Sequence, residues 1–533
     1  MLKRQWSAIR ARLICGLVGG MAAGLLMAPA QAQEPLPPAV LEALRMAGLP
    51  ADALAAVALP LHPWARPWRH QAQRPMQPGS AMKLVTSIVA LDRLGPNHRG
   101  FTELRSAAPL LLGTLQGDLV LKGGADVELG PAQLWALLVD LQQAGVRHIA
   151  GDLLLDRTRY HPARSDVGVP PFDEAPEFPY NVIPDALMLA GNLLPLELRT
   201  SDASETGESS DTGDTSVLAA TVPRIDGIEF DSRMRIVEAR CQDWDDQWHA
   251  AGVTRIDGTT RITLNGAFPR GCTQRVALQL IDRNELSERL FRSLWQGLGG
   301  SWAGRAREAA APAATRLLAR RTGRPWGELL RHQNKSSDNA WTRVLYLELG
   351  VHDAAAAAAQ PGAATRETTQ GTTQGTTQKT TQERAERSVR RWFAEHAIDD
   401  TGLVLDNGSG LSRSERISPW QLARLLQEAH QGQNAAELQM SLPTAGVDGT
   451  LRNRLKNSPA TGWARLKTGT LKNVVALAGY VNDGNGKPWA VAIMINHDDA
   501  SRGRPVLDAW LDHIARHGPH ALASVIGPQG ESP

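Results

Sequence analysis

The chain has 533 residues, with 57 Lys and Arg against 55 Asp and Glu and a formal net charge of +2. That length exceeds the size at which a single hydrophobic core stops growing, so two or three domains are expected. Charges of both signs are interspersed and no basic stripe with interleaved aromatics occurs, which argues against nucleic acid as a partner.

The N-terminus reads as a processing signal. Lys3, Arg4, Arg10 and Arg12 precede an apolar run over 13–27, followed by Ala30-Gln31-Ala32. A charged start, a short hydrophobic core and a small-x-small site describe a secretory signal peptide over residues 1–32, cut after Ala32. An uncleaved anchor is the alternative, but the run is short for a bilayer span of about 20 apolar residues. Membrane contact is therefore at most peripheral. Cys15 lies inside the run and leaves with it. Cys241 and Cys272 remain, and in an oxidising compartment they are expected to pair. The closed loop of about thirty residues contributes roughly 3–4 kcal/mol on chain-entropy grounds.

Residues 37–59 are Ala/Leu-rich and helix-like, and 64–74 form a Pro/Arg/Gln-rich approach to Pro78-Gly79-Ser80-Ala81-Met82-Lys83-Leu84-Val85-Thr86. There a Pro-Gly turn delivers a serine to the start of an apolar helix, with a lysine three positions on. Cβ atoms at i and i+3 of a helix lie roughly 5–6 Å apart, so Ser80 and Lys83 can meet over one turn. A neutral amine so placed can take the hydroxyl proton and leave a nucleophile. A Ser-x-x-Lys alone does not separate this from an N-cap beside a solvated lysine. Met82, Leu84, Val85, Ile88, Val89, Leu91 and Leu94 tip the balance, because a helix apolar nearly all round is buried.

Residues 102–280 read as inserted β-rich material, organised as two small modules. Short strands are expected at 110–112, 115–121, 148–156, 218–223, 234–241, 254–264 and 275–280, with one helix at 131–145. Residues 167–180 are dense in proline and acid and predict no regular structure. Residues 201–216 form a polar tract expected at a loop tip.

Helices follow at 284–297, 325–331 and 340–349, the last stopped by Gly350. Residues 354–385, an alanine run and Thr-Thr-Gln units, read as a low-complexity surface insertion. Ser418 and Pro419 are an N-cap and a first helical position, opening a helix that carries Leu422, Leu425 and Leu426. Three tightly connected strands (464–468, 474–481, 489–496) and an amphipathic helix (506–517) precede a tail over 521–533. Hairpin-linked strands with helices on either side imply an antiparallel sheet flanked by helices. This α+β core would cover residues 33–101 and 281–520.

Three short motifs occur once each and in one order: Ser80-x-x-Lys83, Ser337-Asp338-Asn339 and Lys467-Thr468-Gly469. For Lys83 to act as a base it must be neutral, whereas an ordinary lysine titrates near about 10.4. Bringing it to about 7.5 takes roughly 4 kcal/mol, and burial and the second cation Lys467 both push that way. No metal is expected, since His-Glu-x-x-His and Cys/His ligand spacings do not occur. The absence of a Gly-x-Ser-x-Gly elbow argues against an α/β-hydrolase.

The ordered triplet resembles that of the penicillin-binding proteins and serine β-lactamases. Longer stretches narrow the resemblance: Leu405-Asp406-Asn407-Gly408-Ser409-Gly410-Leu411-Ser412-Arg413, Ala445-Gly446-Val447-Asp448-Gly449-Thr450-Leu451 and Leu466-Lys467-Thr468-Gly469-Thr470-Leu471-Lys472. With the large insertion between the first two motifs, they resemble the D-alanyl-D-alanine carboxypeptidase/endopeptidase family, the class C low-molecular-mass penicillin-binding proteins. Departures are Gly79, where the family often has alanine, Val127, where a proline usually follows Asp126, and the Thr-Thr-Gln insertion.

The resemblance implies a transpeptidase-like fold and a periplasmic peptidase without a cofactor. Its substrates would be peptidoglycan stem peptides, and β-lactams would acylate it. Ser80 would be the nucleophile and Lys83 the base. Ser337 would relay a proton to the departing amine, and Asn339 would bind the substrate amide and orient Lys83. Lys467 would stay charged and attract the substrate carboxylate, helped by the hydroxyls of Thr468 and Thr470 beside Gly469. Backbone N–H groups of Ser80 and Thr470 would form an oxyanion hole. Asp126, Asp406, Ser409, Arg413 and Asp448 are assigned structural roles, since acidic and hydroxyl residues in tight loops bond local backbone. A β-lactamase, or a secreted wall-binding protein without activity, is the alternative; a homo-oligomer is compatible with all three.

Overall fold

The computed structural model describes residues 34–63, 65–173, 175–201, 216–359 and 379–520. The signal segment, most of the polar tract, the Thr-Thr-Gln units and the 521–533 tail lie outside the described residues. No described helix is long and apolar enough to cross a membrane.

A five-stranded antiparallel sheet runs in the order Arg465–Leu471, Val474–Asn482, Pro488–Asn496, Leu54–Pro60 and Trp68–His70. Side chains alternate between its faces, as a period of two requires. Ala56, Leu477, Ile493 and Ile495 face helices Pro38–Ala47 and Arg504–His517. Val57, Ala476, Ala478 and Met494 face the layer holding Lys83–Leu94, Asn339–Ala358 and Pro419–Gln431. The three hairpin-linked strands and the last helix were legible as such.

Two strands were not. Residues 54–60, read as helix, form the fourth strand and pair with Pro488–Asn496 along their whole length. A short apolar run buried on both faces carries no periodicity that separates strand from helix, and its alanines favour helix locally. Pairing with an already buried strand decides it.

The inserted region also differs from expectation. One hydrophobic cluster gathers buried residues from Leu104 to Ala319. Helix Arg283–Gly297 buries Leu286, Leu290, Phe291 and Trp295 in it, so the boundary expected near residue 280 falls some forty residues too early. The strand Arg316–Pro325 closes the region by pairing with Arg99–Ser106. Cys241 and Cys272 form a disulfide in this region, Cα atoms 5.3 Å apart.

Helix Asn339–Ala358 passes straight through Gly350, which was expected to end it. A Cβ there would lie 2.0 Å from the Thr381 carbonyl oxygen, so this glycine serves close packing with helix Thr381–Glu395. Residues 354–358 and 381–385, assigned to the low-complexity insertion, are thus helical, and Thr381 and Ala385 are buried.

A buried carboxylate ties the inserted region to the catalytic layer. Glu348 accepts from Arg159 Nε (2.8 Å), Arg159 Nη2 (2.6 Å) and the Tyr160 hydroxyl (3.0 Å), and lies 2.9 Å from His98 Nε2. Burial by itself would raise its pKa, but the Arg159 and His98 hydrogen bonds and charges outweigh that and bring it down to about 2. A carboxylate depressed on folding contributes stability that is present above its ordinary range and lost as pH falls toward 2. Glu348→Gln is expected to cost about 3 kcal/mol at pH 7 and to flatten the loss of stability below pH ~4.5. Denaturant midpoints measured across that range check it; equal pH slopes for the two proteins would contradict it.

Candidate active site

Ser80 sits on a 3₁₀ turn, Gly79–Met82, that runs directly into helix Lys83–Leu94. Gly79 opens the turn at φ +52°, a left-handed conformation that side chains oppose. A Cβ on Gly79 would lie 3.0 Å from the Thr470 amide nitrogen, and one on Gly469 only 2.1 Å from the Pro78 carbonyl oxygen. Turn and edge strand therefore press backbone against backbone. This close approach sets the Thr470 amide beside the Ser80 turn.

Lys83 is fully buried, as are Leu84 through Leu91 on the same helix. Its Nζ donates to Ser80 Oγ (2.9 Å), Asn339 Oδ1 (2.6 Å) and the Ser409 carbonyl (2.5 Å). Burial, and then the charge of Lys467, push its pKa well below the lysine range; Asp338 and Glu415 pull the other way. The amine has three oxygen partners and little tendency to hold a proton. Such a group suits proton abstraction from a hydroxyl in contact with it.

The second motif is a junction between two helices. Ser337 ends helix Trp326–Ser336 in the left-handed conformation (φ 62°, ψ 38°), and Asp338 caps the next helix by accepting from Trp341 N at 2.8 Å. Asn339 becomes the first residue of helix Asn339–Ala358. A non-glycine residue in that region costs about 1–3 kcal/mol and persists where its surroundings impose it. Here it turns the Ser337 hydroxyl to Lys467, whose Nζ donates to it at 2.9 Å. The Asn339 amide also donates to the Tyr180 carbonyl at 3.0 Å.

Lys467 is likewise fully buried, on the edge strand Arg465–Leu471. Burial brings its pKa down to about 7, well below the range expected of a lysine that stays charged. The Thr468 hydroxyl donates to Thr450 Oγ1 at 2.8 Å, whereas Thr470 lines the cleft.

A cleft of about 420 Å³ opens over Ser80, Ser337, Asn339 and Thr470. Its far wall comes from the inserted region: Phe172, Asp173 and Tyr180, from a stretch read only as irregular. Tyr180 donates its hydroxyl to Asp173 Oδ2 at 2.8 Å. Arg413, given a structural role, also lines this cleft and stacks on Phe172 with its guanidinium carbon 5.1 Å from the ring centroid. Loop walls of this kind carry no short motif. Ser409 bonds locally to Asn407 and Asp448 to the Thr444 amide, but Asp448 also binds Lys335 and Asp406 binds Gln382, both far along the chain.

The chain matches the D-Ala-D-Ala carboxypeptidase 3 (S13) family over residues 40–372 and 363–514. It is 29% identical over 460 residues to a D-alanyl-D-alanine carboxypeptidase of Actinomadura sp. (strain R39), covering 83% of this chain and 77% of that one. It is 23% identical over 430 residues to the D-alanyl-D-alanine carboxypeptidase DacB of Haemophilus influenzae, covering 79% and 80%. The crystal structure of penicillin binding protein 4 (dacB) from Haemophilus influenzae superposes with a TM-score of 0.69 at 21% identity, over 90% of this chain and 99% of that one, which establishes the shared fold. With a match spanning nearly the whole described chain, the protein belongs to the D-Ala-D-Ala carboxypeptidase 3 (S13) family.

Proposed function

We propose that this protein is an exported serine DD-peptidase. It would release the terminal D-Ala of peptidoglycan stem peptides, or cut D-Ala–diaminopimelate cross-links, through an acyl-enzyme on Ser80. One observation carries the reading: a fully buried lysine amine, stripped of its usual basicity range, lies 2.9 Å from a serine hydroxyl that faces a cleft. The signal-like N-terminus supports a periplasmic location.

In this mechanism Ser80 Oγ attacks the carbonyl carbon of the penultimate D-Ala while its proton passes to Lys83 Nζ. Negative charge develops on the carbonyl oxygen toward the Ser80 and Thr470 N–H groups. The C–N bond then breaks and Ser337 relays a proton to the departing amine. Lys467, in its ammonium form, attracts the substrate carboxylate together with the Thr470 hydroxyl. Water finally hydrolyses the ester and restores Ser80. β-Lactams enter the same path by presenting a strained amide to Ser80 and are expected to stay bound as the ester.

Ser80→Ala is expected to abolish both labelling by fluorescent penicillin and D-Ala release from a pentapeptide muropeptide. Lys83→Ala should slow acylation about 100- to 10,000-fold, the usual span for a general base. Covalent labelling that survives Ser80→Ala would sink the assignment. Rapid penicillin turnover would point to a β-lactamase, and intact labelling sites without D-Ala release to a wall-binding protein.

The pH profile offers a separate check. Lys467 serves as an ammonium, the form present below its pKa and lost above it. Because kcat/KM reports the free enzyme, its alkaline limb is expected near pH 7. In kcat the limb should move upward, since a bound carboxylate stabilises the ammonium. An amide in place of the substrate's terminal carboxylate should remove this limb; an unchanged limb would contradict the role of Lys467.

A further inference from the structure

A buried carboxylate that the mechanism above does not use bears on Lys83 through its charge. Glu415 is fully buried. Its Oε1 accepts from the Gly408 amide at 2.8 Å and the Asp406 amide at 3.4 Å. The turn so held presents the Ser409 carbonyl to Lys83 Nζ at 2.5 Å. The same turn is clamped from the nucleophile helix, where the Thr86 hydroxyl donates to the Gly408 carbonyl at 2.7 Å. The Tyr346 ring packs so closely that a Cβ on Gly408 would lie 2.6 Å from it. Among the described residues the other oxygen, Glu415 Oε2, has no hydrogen-bond partner, and neither do Tyr346 Oη and Arg343 Nε.

We propose that Glu415 is a positioning residue for the general base: it anchors the turn that holds Lys83, and its carboxylate is the counter-charge that stabilises the ammonium formed when Lys83 takes the Ser80 proton. The inference rests on the peptidase reading and deepens it.

Several charged groups bear on Glu415. Burial, and after it Asp406, disfavour its ionised form, while the two backbone N–H groups and Lys83 favour it, and its pKa is raised to about 7. Arg343 and Tyr346, on helix Asn339–Ala358, also feel its charge. Lys83 in turn is driven down by burial and then Lys467, drawn up by Asp338 and next by Glu415, and driven down again by Arg343. Without a counter-charge, burial and two neighbouring cations leave Lys83 too weak a base to accept the proton. During acylation Ser80 Oγ–H breaks, Lys83 Nζ–H forms and the Oγ–C bond forms. The positive charge so created on Lys83 is met by a carboxylate already fixed in the fold by the Gly408 and Asp406 amides.

The test compares acylation by fluorescent penicillin, as a function of pH, in wild type and Glu415→Gln. The amide oxygen of Gln keeps the acceptor for Gly408 and Asp406 but removes the charge. The acylation rate near neutrality should fall about tenfold or more, and the acid limb should move down by about one pH unit, because the base loses proton affinity. Penicillin concentration for half-maximal rate should change little. Superimposable profiles with an unchanged rate would overturn the inference, leaving Glu415 a purely structural acceptor. If Glu415→Gln fails to fold by circular dichroism, Glu415→Asp serves: it keeps the charge and should keep the acid limb even with a lower melting temperature, and a displaced limb overturns the proposal. Wild type that is not acylated at Ser80 would instead overturn the peptidase reading itself.

Discussion

The structure turns on keeping a lysine amine out of water. An unpaired buried ammonium is among the costliest groups a protein can hold, and the usual response is loss of the proton. Around Lys83 that response is what a serine nucleophile requires. Three oxygens lie within hydrogen-bond reach of the amine, each from a different part of the chain: Ser80 on its own turn, Asn339 from a helix junction, and the Ser409 carbonyl from a glycine-rich loop. Apolar packing of the nucleophile helix supplies the dry surroundings, and Lys467 adds a repelling charge.

Such a site depends on backbone closeness. Gly79 and Gly469 allow the nucleophile turn to lie directly on the edge strand, with no side chain between. Ser337 is held in a left-handed conformation at the point where one helix stops and the next begins. These strained positions sit on elements tied into two large hydrophobic layers, which is where local strain can be sustained. The inserted region then closes the cleft from outside through Phe172, Asp173 and Tyr180, and Glu348 secures that region to the catalytic layer through Arg159 and Tyr160.

Lys467 and Lys83 share burial but differ in task. Burial lowers the Lys467 pKa to about 7, and its amine donates to the Ser337 hydroxyl and the Thr468 carbonyl. An incoming carboxylate would restore its charge, so substrate itself would complete the electrostatics of the site. Glu415 answers to Lys83 in a similar way, already in place within the fold.

The sequence by itself determined what short-range physics records. It specified the apolar helix behind Ser80, the Ser418 cap, the hairpin strands that carry Lys467, and the order of the three motifs. Each depends on spacing, capping or turn chemistry within about ten residues. Only the tertiary structure decided the fourth and fifth strands, the extent of the inserted core and the reason for Gly350. It alone gave Lys467 its lowered pKa and drew Tyr180, Arg413 and Glu415 to the site. These depend on burial and on partners far along the chain: Lys83 and Asn339 are 256 residues apart, Lys83 and Ser409 326. Desolvation and long-range pairing are properties of the packed molecule, and no local pattern of residues carries them.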